Sequence, residues 1–154
     1  MKEKSDDYYL SEFDYNNSAD LDNVKRFYYE NPSNYVVFGR NKKPSPYNYI
    51  GLRRKSDDTL VAITSYEILT NNLVKMWSTV VRKDLRGLGL GNIINQQMEE
   101  MLQFIGYGKI ASHIYVENLP SIFLKLKRGY IIEGTLMDHD AEGQHEYVLG
   151  KMLK

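Results

Sequence analysis

A glycine-rich turn at residues 86–91 has the residue types and spacing that best suit a chemical role. It reads Arg86-Gly87-Leu88-Gly89-Leu90-Gly91 and lies between a predicted strand and a predicted helix. Glycine at alternate positions leaves the backbone bare, so several N–H groups can converge on one point. The helix start adds unpaired N–H groups and the positive end of its dipole, and Arg86 adds a fixed charge. The turn suits a phosphate or a diphosphate, although a flexible connection would use the same residues.

Spacing narrows the choice of phosphate motif. A dinucleotide fingerprint needs Gly-x-Gly-x-x-Gly, but Asn92 occupies the third glycine position. A P-loop needs Gly-Lys-Ser/Thr, and Gly91 is followed by Asn92 instead. The pattern that remains is Arg86-x-x-Gly89-x-Gly91.

This pattern resembles the Arg/Gln-x-x-Gly-x-Gly/Ala turn of the GNAT superfamily of acetyl-CoA-dependent N-acetyltransferases, which holds the coenzyme A pyrophosphate. Asn118-Leu119-Pro120-Ser121 through Lys127-Arg128-Gly129-Tyr130 is similar to the superfamily's Asn-x-x-Ala/Ser…Lys-x-Gly-Phe/Tyr helix. Residues 132–136 and 146–153 resemble its closing hairpin. The resemblance covers residues 60–153 well and residues 1–59 only loosely.

The resemblance implies a set of binding roles for acetyl-CoA as co-substrate. Arg86 and the N–H groups of residues 87–91 would hold the pyrophosphate, while the backbone of Thr79, Val80 and Val81 would hold the pantetheine arm and the thioester. An N–H of this strand can polarise the thioester carbonyl as an amine attacks. Asn118 and Ser121 would lie beside the pantetheine and the sulfur.

Direct attack by an amine also needs an acid for the departing thiolate. Many superfamily members use a helix tyrosine, but Lys125 occupies that position here. Some relatives place a serine three residues after the asparagine, and Ser121 matches them. The Ser121 hydroxyl equally suits a helix N-terminus, where it would satisfy backbone N–H groups.

A base must take the proton from the nucleophile. Relatives often place a carboxylate five positions before the asparagine, and His113 stands there. Its ordinary pKa of ~6.5 suits a base near neutral pH, although a histidine bonded within a sheet is the alternative. Glu67, on the neighbouring predicted strand, is a second candidate base or an exposed charge.

The elements around these residues form two patterns. The first half predicts a helix from Ser18 that Asn31-Pro32-Ser33 ends, a polar loop at residues 40–48, and strands at Tyr49–Arg53, Leu60–Leu69 and Leu73–Val81. The second half predicts a helix after Gly91 through Ile105, a strand at Ile110–Val116, a helix from Asn118 to Gly129, and a hairpin of Tyr130–Met137 with Glu146–Leu153.

A strand–helix–strand crossover pairs Leu73–Val81 with Ile110–Val116 in parallel, so the fold class is α/β, an α+β mixed sheet. The resemblance adds that the sheet is mostly antiparallel, with this central pair splayed and flanked by helices.

Composition limits the class of protein. The chain has 154 residues, 20 Lys+Arg against 20 Asp+Glu, and no cysteine. We expect one domain over residues 1–154, with residues 1–59 as a variable acceptor-side segment and residues 60–153 as the coenzyme-binding core. Balanced charge argues against nucleic acid, and the apolar runs are too short for a membrane span of ~20 residues. Three scattered histidines without a thiol predict no metal, and the lack of cysteine fits the cytoplasm.

The predicted function is transfer of an acetyl group from acetyl-CoA to a primary amine on a small molecule or a peptide. Seven acidic residues against two lysines in residues 1–23 favour a cationic small acceptor. Two alternatives stay open: a catalytically weak acetyl-CoA-binding module with a regulatory role, and a transferase for a longer acyl group. A homodimer is compatible with the resemblance, because dimers are common among relatives.

Overall fold

A mixed β-sheet with three helices forms the fold of the computed structural model, which describes residues 3–33 and 47–153. The strands are β1 Tyr8–Phe13, β2 Asn48–Arg54, β3 Leu60–Ile68, β4 Leu73–Met76, β5 Val80–Val81, β6 Lys109–Tyr115, β7 Ile131–Leu136 and β8 Glu146–Met152. The helices are α1 Ser18–Glu30, α2 Leu90–Ile105 and α3 Leu119–Lys127. Most of the predicted elements therefore agree with the structure within one or two residues. Most of the predicted polar loop at residues 40–48 lies outside the described residues.

The helix ends follow from local chemistry. Asn17 caps α1, because its side chain accepts the N–H groups of Ala19 and Asp20 at 2.9 and 3.2 Å. Helix α2 ends at Gly106, whose φ of 111° belongs to the left-handed region that glycine adopts readily. Asn118 caps α3.

The strand order is β1-β2-β3-β4-β6-β8-β7, with β5 paired to β3 beside β4. All neighbours are antiparallel except β4 and β6, which run parallel as the crossover through α2 requires. Their pairing extends only from Leu73 and Lys109 to Met76 and Ser112. Beyond that point β6 continues beside β8, whereas the chain after β4 stays beside β3. The predicted parallel pair is thus confirmed, and it splays.

The prediction of one continuous strand at Leu73–Val81 was wrong, because the strand is interrupted at residues 77–79. The Trp77 N–H donates to the Ser65 carbonyl at 2.8 Å, and Ile63 pairs with Val80 two residues back along β3. The Tyr28 hydroxyl of α1 donates to the Ser78 carbonyl at 3.1 Å. These contacts hold the irregular segment against β3 and turn it away from β6.

The core lies on both faces of the sheet. One cluster packs Ile94, Met98 and Leu102 of α2 against strand residues that include Ile50. The other packs Val24 and Phe27 of α1 against residues that include Tyr49. Because successive strand residues point to opposite faces, Tyr49 and Ile50 show that α1 and α2 cover opposite sides.

None of the helices in residues 3–33 and 47–153 combines the length and the apolar content that crossing a membrane requires.

Candidate active site

A groove of about 590 Å³ opens where the parallel strands part. Trp77–Val81 line one side and Ser112–Tyr115 line the other. On each side, the strand stays paired with its neighbour away from the groove: β5 pairs with β3, and the end of β6 pairs with β8. The inner backbone edges of both sides therefore face the groove. Its volume is within the range typical of small-molecule sites.

The glycine turn lies at the helix end of this groove. Gly87 and Gly89 have φ of 83° and 89°, and an ideal Cβ on either residue would meet no atom within 4 Å among the described residues. The first hydrogen bonds of α2 run from Asn92 and Ile93 to the Gly89 carbonyl, so the helix supplies no acceptor for the N–H groups of Leu90 and Gly91. The turn is an open set of donors at a helix N-terminus, which fits a diphosphate.

The Arg86 side chain joins this turn to helix α1. Its Nη2 donates to the carbonyls of Asn31 and Pro32, both at 3.0 Å, and its Nε donates to the Val81 carbonyl at 3.1 Å. These bonds hold the guanidinium at the edge of the groove, where Arg86 is a lining residue. Arg86 thus has a positioning role in addition to its charge.

The structure brings most of the predicted site residues together. The groove is lined by Thr79, Val80, Val81, Arg86, Gly91, His113, Asn118 and Ser121. Gly87, Leu88, Gly89 and Leu90 precede Gly91 in the turn, and the Leu90 side chain is buried in the core, so only its backbone is available to a ligand. Thr79 uses its hydroxyl within the protein, 2.8 Å from the Thr64 hydroxyl.

Asn118 has a structural role as well as a position in the groove wall. Its Oδ1 accepts the Ser121 N–H at 3.4 Å, which caps helix α3. Pro120 suits this first turn because proline lacks the N–H that would be unpaired there. The cap fixes Asn118 and Ser121 side by side on the same wall.

His113 lies in a cluster of ionisable groups on the β6 side of the groove. Its Nδ1 is 3.1 Å from Lys75 Nζ and 3.5 Å from Glu146 Oε2. Asp140 lines the groove with His113 and Glu146, and its carboxylate accepts the Tyr115 hydroxyl at 2.6 Å. Because its contacts engage Nδ1, Nε2 is the nitrogen that remains for another partner.

Burial and neighbouring charges shift the pKa values of His113, Lys75 and Glu146. Burial, with the neighbouring Lys75 and His139, lowers the pKa of His113 below 6.5. Burial also lowers the pKa of Lys75 and raises the pKa of Glu146. His113 is therefore neutral at pH 7, the state in which an imidazole accepts a proton.

His113, His139 and Glu146 also bring potential metal ligands together, with one atom from each within 4.8 Å of the others. Sequence separation gave no sign of this grouping. The amine of Lys75, 3.1 Å from His113 Nδ1, stands where a cation would compete with it. The arrangement suits proton transfer better than it suits a metal, and the absence of a metal stays a prediction.

Glu67 is not among the residues that line the groove. Its Oε2 accepts the indole N–H of Trp77 at 3.1 Å. Trp77 itself lines the groove, stacks on Tyr47 with 5.0 Å between ring centres, and carries Lys75 Nζ 3.8 Å above its ring. Glu67 thus supports the wall of the groove from behind.

Sequence reasoning missed several residues of the site. The sequence predicts no site role for Lys75, Tyr115, Asp140 or Glu146, and it marks Lys125 only as a departure from a motif. The signal for Glu146 is the strand register, because Glu146 pairs with Tyr115 at the end of β6 where the groove opens. This register puts Glu146 on the strand next to His113, two positions further along β6.

Comparison with protein families now identifies the class. Residues 8–130 match the acetyltransferase (GNAT) family. This match spans most of the chain, so the chain belongs to the GNAT family and is an acyltransferase of the N-acetyltransferase type. A comparison with curated protein sequences gave no significant match.

Solved structures show the same fold at low sequence identity. The ribosomal-protein-S18-alanine N-acetyltransferase from Escherichia coli superposes with a TM-score of 0.74 at 12% identity. An acetyltransferase candidate from Salmonella typhimurium, solved with its cofactor acetyl-CoA, superposes with a TM-score of 0.72 at 12% identity.

 The aligned region covers 96% of this chain and 94% of the other chain in both of these comparisons. A variant of spermidine N-acetyltransferase from Vibrio cholerae has a TM-score of 0.74 at 13% identity, over 96% of this chain and 95% of that chain. At these identities the likeness concerns the fold, while the family match carries the class.

Proposed function

We propose that this protein transfers an acetyl group from acetyl-CoA to a primary amine by direct attack of the amine on the thioester. The observation that carries the proposal is the parting of β4 and β6 after Met76 and Ser112, beside the open glycine turn. The parted strands offer free backbone groups to a pantetheine arm, and the turn offers N–H groups to a diphosphate. One extended ligand with both parts, such as acetyl-CoA, would fill the groove.

The backbone of Thr79, Val80 and Val81 would hold the pantetheine and the thioester. An N–H of this segment can donate to the thioester oxygen, which gains negative charge as the amine attacks. Arg86 and the N–H groups of residues 87–91 would hold the pyrophosphate. Asn118 and Ser121, on the opposite wall, would border the arm near its sulfur.

His113 is the proposed base. It lines the groove, and it is neutral at pH 7 because burial lowers its pKa. A base at Nε2 requires the tautomer whose Nδ1–H faces Glu146 Oε2, 3.5 Å away, so in that tautomer the Lys75 amine is a neighbour of Nδ1 and not a donor to it. When Nδ1 carries the ring proton and donates it toward Glu146, Nε2 is free to accept a proton from the amine. Glu67 is the weaker candidate, because its carboxylate is bonded to Trp77 outside the groove lining.

The acceptor is proposed to be a cationic amine. Asp140 and Glu146 line the groove together with the aromatic ring of Tyr115. Carboxylates and aromatic faces both attract an ammonium group. The relatives described above act on spermidine in one case and on a ribosomal protein in another, so small amines and peptide amino termini both belong in the test.

A thiol-release assay with acetyl-CoA tests the proposal. The acceptor panel contains polyamines, aminosugars, amino acids and peptides with free amino termini, and calorimetry measures acetyl-CoA binding separately. Binding with thiol release on at least one amine supports the proposal. Binding without release on any amine would favour a regulatory acetyl-CoA-binding module, and faster release with propionyl-CoA or butyryl-CoA would favour a longer acyl group.

A further inference from the structure

Helix α3 buries a lysine in the wall of the groove. Lys125 is 6% exposed, although lysine is rarely buried without a charged partner. Its Nζ lies 2.6 Å from Asn95 Oδ1, 3.5 Å from the Tyr130 hydroxyl and 3.7 Å from Met76 Sδ. These three contacts are all with neutral groups.

This amine lies at the point where the two parallel strands part. Met76, which it contacts, is the last residue of β4 paired with β6, and its partner is Ser112. His113 follows Ser112 directly, so the proposed base and the Lys125 amine belong to the same end of the strand pair. Lys125 and Asn95 both line the groove.

The surroundings of Lys125 make its charge responsive near neutral pH. Burial lowers its pKa to about 7; Glu99 of α2 acts in the opposite direction, and Arg128 and Lys151 add to the lowering. Tyr130, whose ring centre is 4.5 Å from Nζ, contacts it from the end of α3. An amine with such a pKa can give up and regain its proton near neutral pH, whereas an exposed lysine stays protonated there.

We propose that Lys125 is the general acid of the reaction, giving a proton to the sulfur of the departing coenzyme A. The inference rests on the proposed function. The amine nitrogen forms a bond to the acetyl carbon and gives one proton to His113. The carbon–sulfur bond breaks, its electron pair stays on sulfur, and the sulfur takes one proton from Lys125 Nζ. His113 and Lys125 then recover their starting states by proton exchange with solvent, so the products are an amide and a thiol.

The Lys125→Met variant removes the proton and keeps the length of the apolar stem. We expect kcat with acetyl-CoA to fall about 100-fold, the low end of what an acid contributes, with little change in the acetyl-CoA dissociation constant. Lys127→Met is the matched control, because Lys127 is an exposed lysine two residues further along α3. Its kcat should equal that of the unchanged protein.

A donor with an acidic thiol separates an acid from a structural residue. S-phenyl thioacetate releases a thiolate that needs no proton, so Lys125→Met should lose much less activity with this donor than with acetyl-CoA. An equal loss with both donors would overturn the proposal.

In the unchanged protein, kcat should also decline as pH rises through about 7, because the ammonium form of Lys125 is lost. A kcat that keeps rising well above neutrality would contradict the assignment without any variant.

A titration of bound coenzyme A supplies a readout that does not depend on turnover. The ultraviolet absorbance of the thiolate reports the pKa of the bound thiol, which a nearby ammonium group lowers. We expect a lower thiol pKa in the unchanged protein and in Lys127→Met than in Lys125→Met, and equal values in all three would overturn the inference. The two proposals fail in different ways. If the unchanged protein transfers acetyl to no amine, the proposed function fails. If it does transfer acetyl and Lys125→Met has the same kcat, only the role of Lys125 is contradicted.

Discussion

Met76 and Ser112 form the last pair of the parallel ladder between β4 and β6. The residues that follow them, Trp77 and His113, both line the groove. The end of the ladder therefore fixes where the groove begins and which side chains stand at that level. A reacting group held between the strands would meet the Trp77 ring on one side and the His113 imidazole on the other.

Gly89→Asp should abolish acetyl-CoA binding, because it places a negative charge where the glycine turn is proposed to hold a diphosphate. Gly89→Asn has the same size and tolerates a positive φ, so it should retain more affinity than Gly89→Asp. Calorimetry with acetyl-CoA measures both.

Gly106→Asn is the control for backbone strain, since Gly106 has a positive φ at the other end of the same helix. It should cost some stability, of the order of 1 kcal/mol, and leave acetyl-CoA affinity unchanged. Equal affinities in Gly89→Asp and the unchanged protein would show that the turn does not bind phosphate.

His113→Gln should lower kcat about 100-fold with little effect on acetyl-CoA affinity, as expected for loss of a base. Because burial holds the pKa of His113 below 6.5, the unchanged protein should keep its activity at pH 7 and lose it as pH falls through that lowered pKa. A steady-state profile of kcat against pH tests this loss of activity at low pH.

The kcat of His113→Gln is compared with that of Glu67→Gln, since Glu67 supports Trp77 from behind the groove. If Glu67→Gln has the larger effect on kcat and His113→Gln has almost none, Glu67 replaces His113 as the base.

The long elements could be predicted from the sequence, because their signals are local. Helix α2 has a regular apolar stripe and a terminal glycine, and α3 has Asn118 and Pro120 at its start. The break at residues 77–79 could not be predicted, because it depends on Tyr28 and β3, which are distant in sequence.

The residues of the candidate site also differ in whether a local sequence signal indicates them. The glycine turn is a local motif, so its residues were proposed from sequence alone. The contacts of His113 with Lys75 and Glu146 depend on strand pairing, and the burial of Lys125 depends on the packing of α3 against α2. Lysine is usually exposed, so no sequence pattern indicates a buried amine there.

Lys75→Met should raise the pKa of His113, because the positive charge of Lys75 disfavours a second charge beside it. Burial remains in the variant, so the pKa should stay below the ordinary 6.5. Nuclear magnetic resonance of the His113 ring follows this titration. Lys109→Met, which changes a lysine at the far end of β6, should leave the His113 pKa unaltered, and an equal shift in both variants would contradict the direct effect.

Glu99→Gln should destabilise the fold by about 3 kcal/mol, because a buried carboxylate that pairs with two cations is lost. Glu99 accepts from Arg128 at 2.7 and 2.8 Å and from Lys151 at 2.6 Å. Urea unfolding measures the change. Glu100→Gln, at the neighbouring exposed position, should change stability by less than about 0.5 kcal/mol. Similar values for the two variants would show that the ion pairs of Glu99 with Arg128 and Lys151 contribute little to stability.

Trp77 is the one tryptophan in the sequence, and its indole lies in the groove wall between Tyr47 and the Lys75 amine. Its fluorescence therefore arises from this single place. A ligand that enters beside the ring changes the solvent around it, so the emission of the unlabelled protein provides a built-in optical reporter of occupancy.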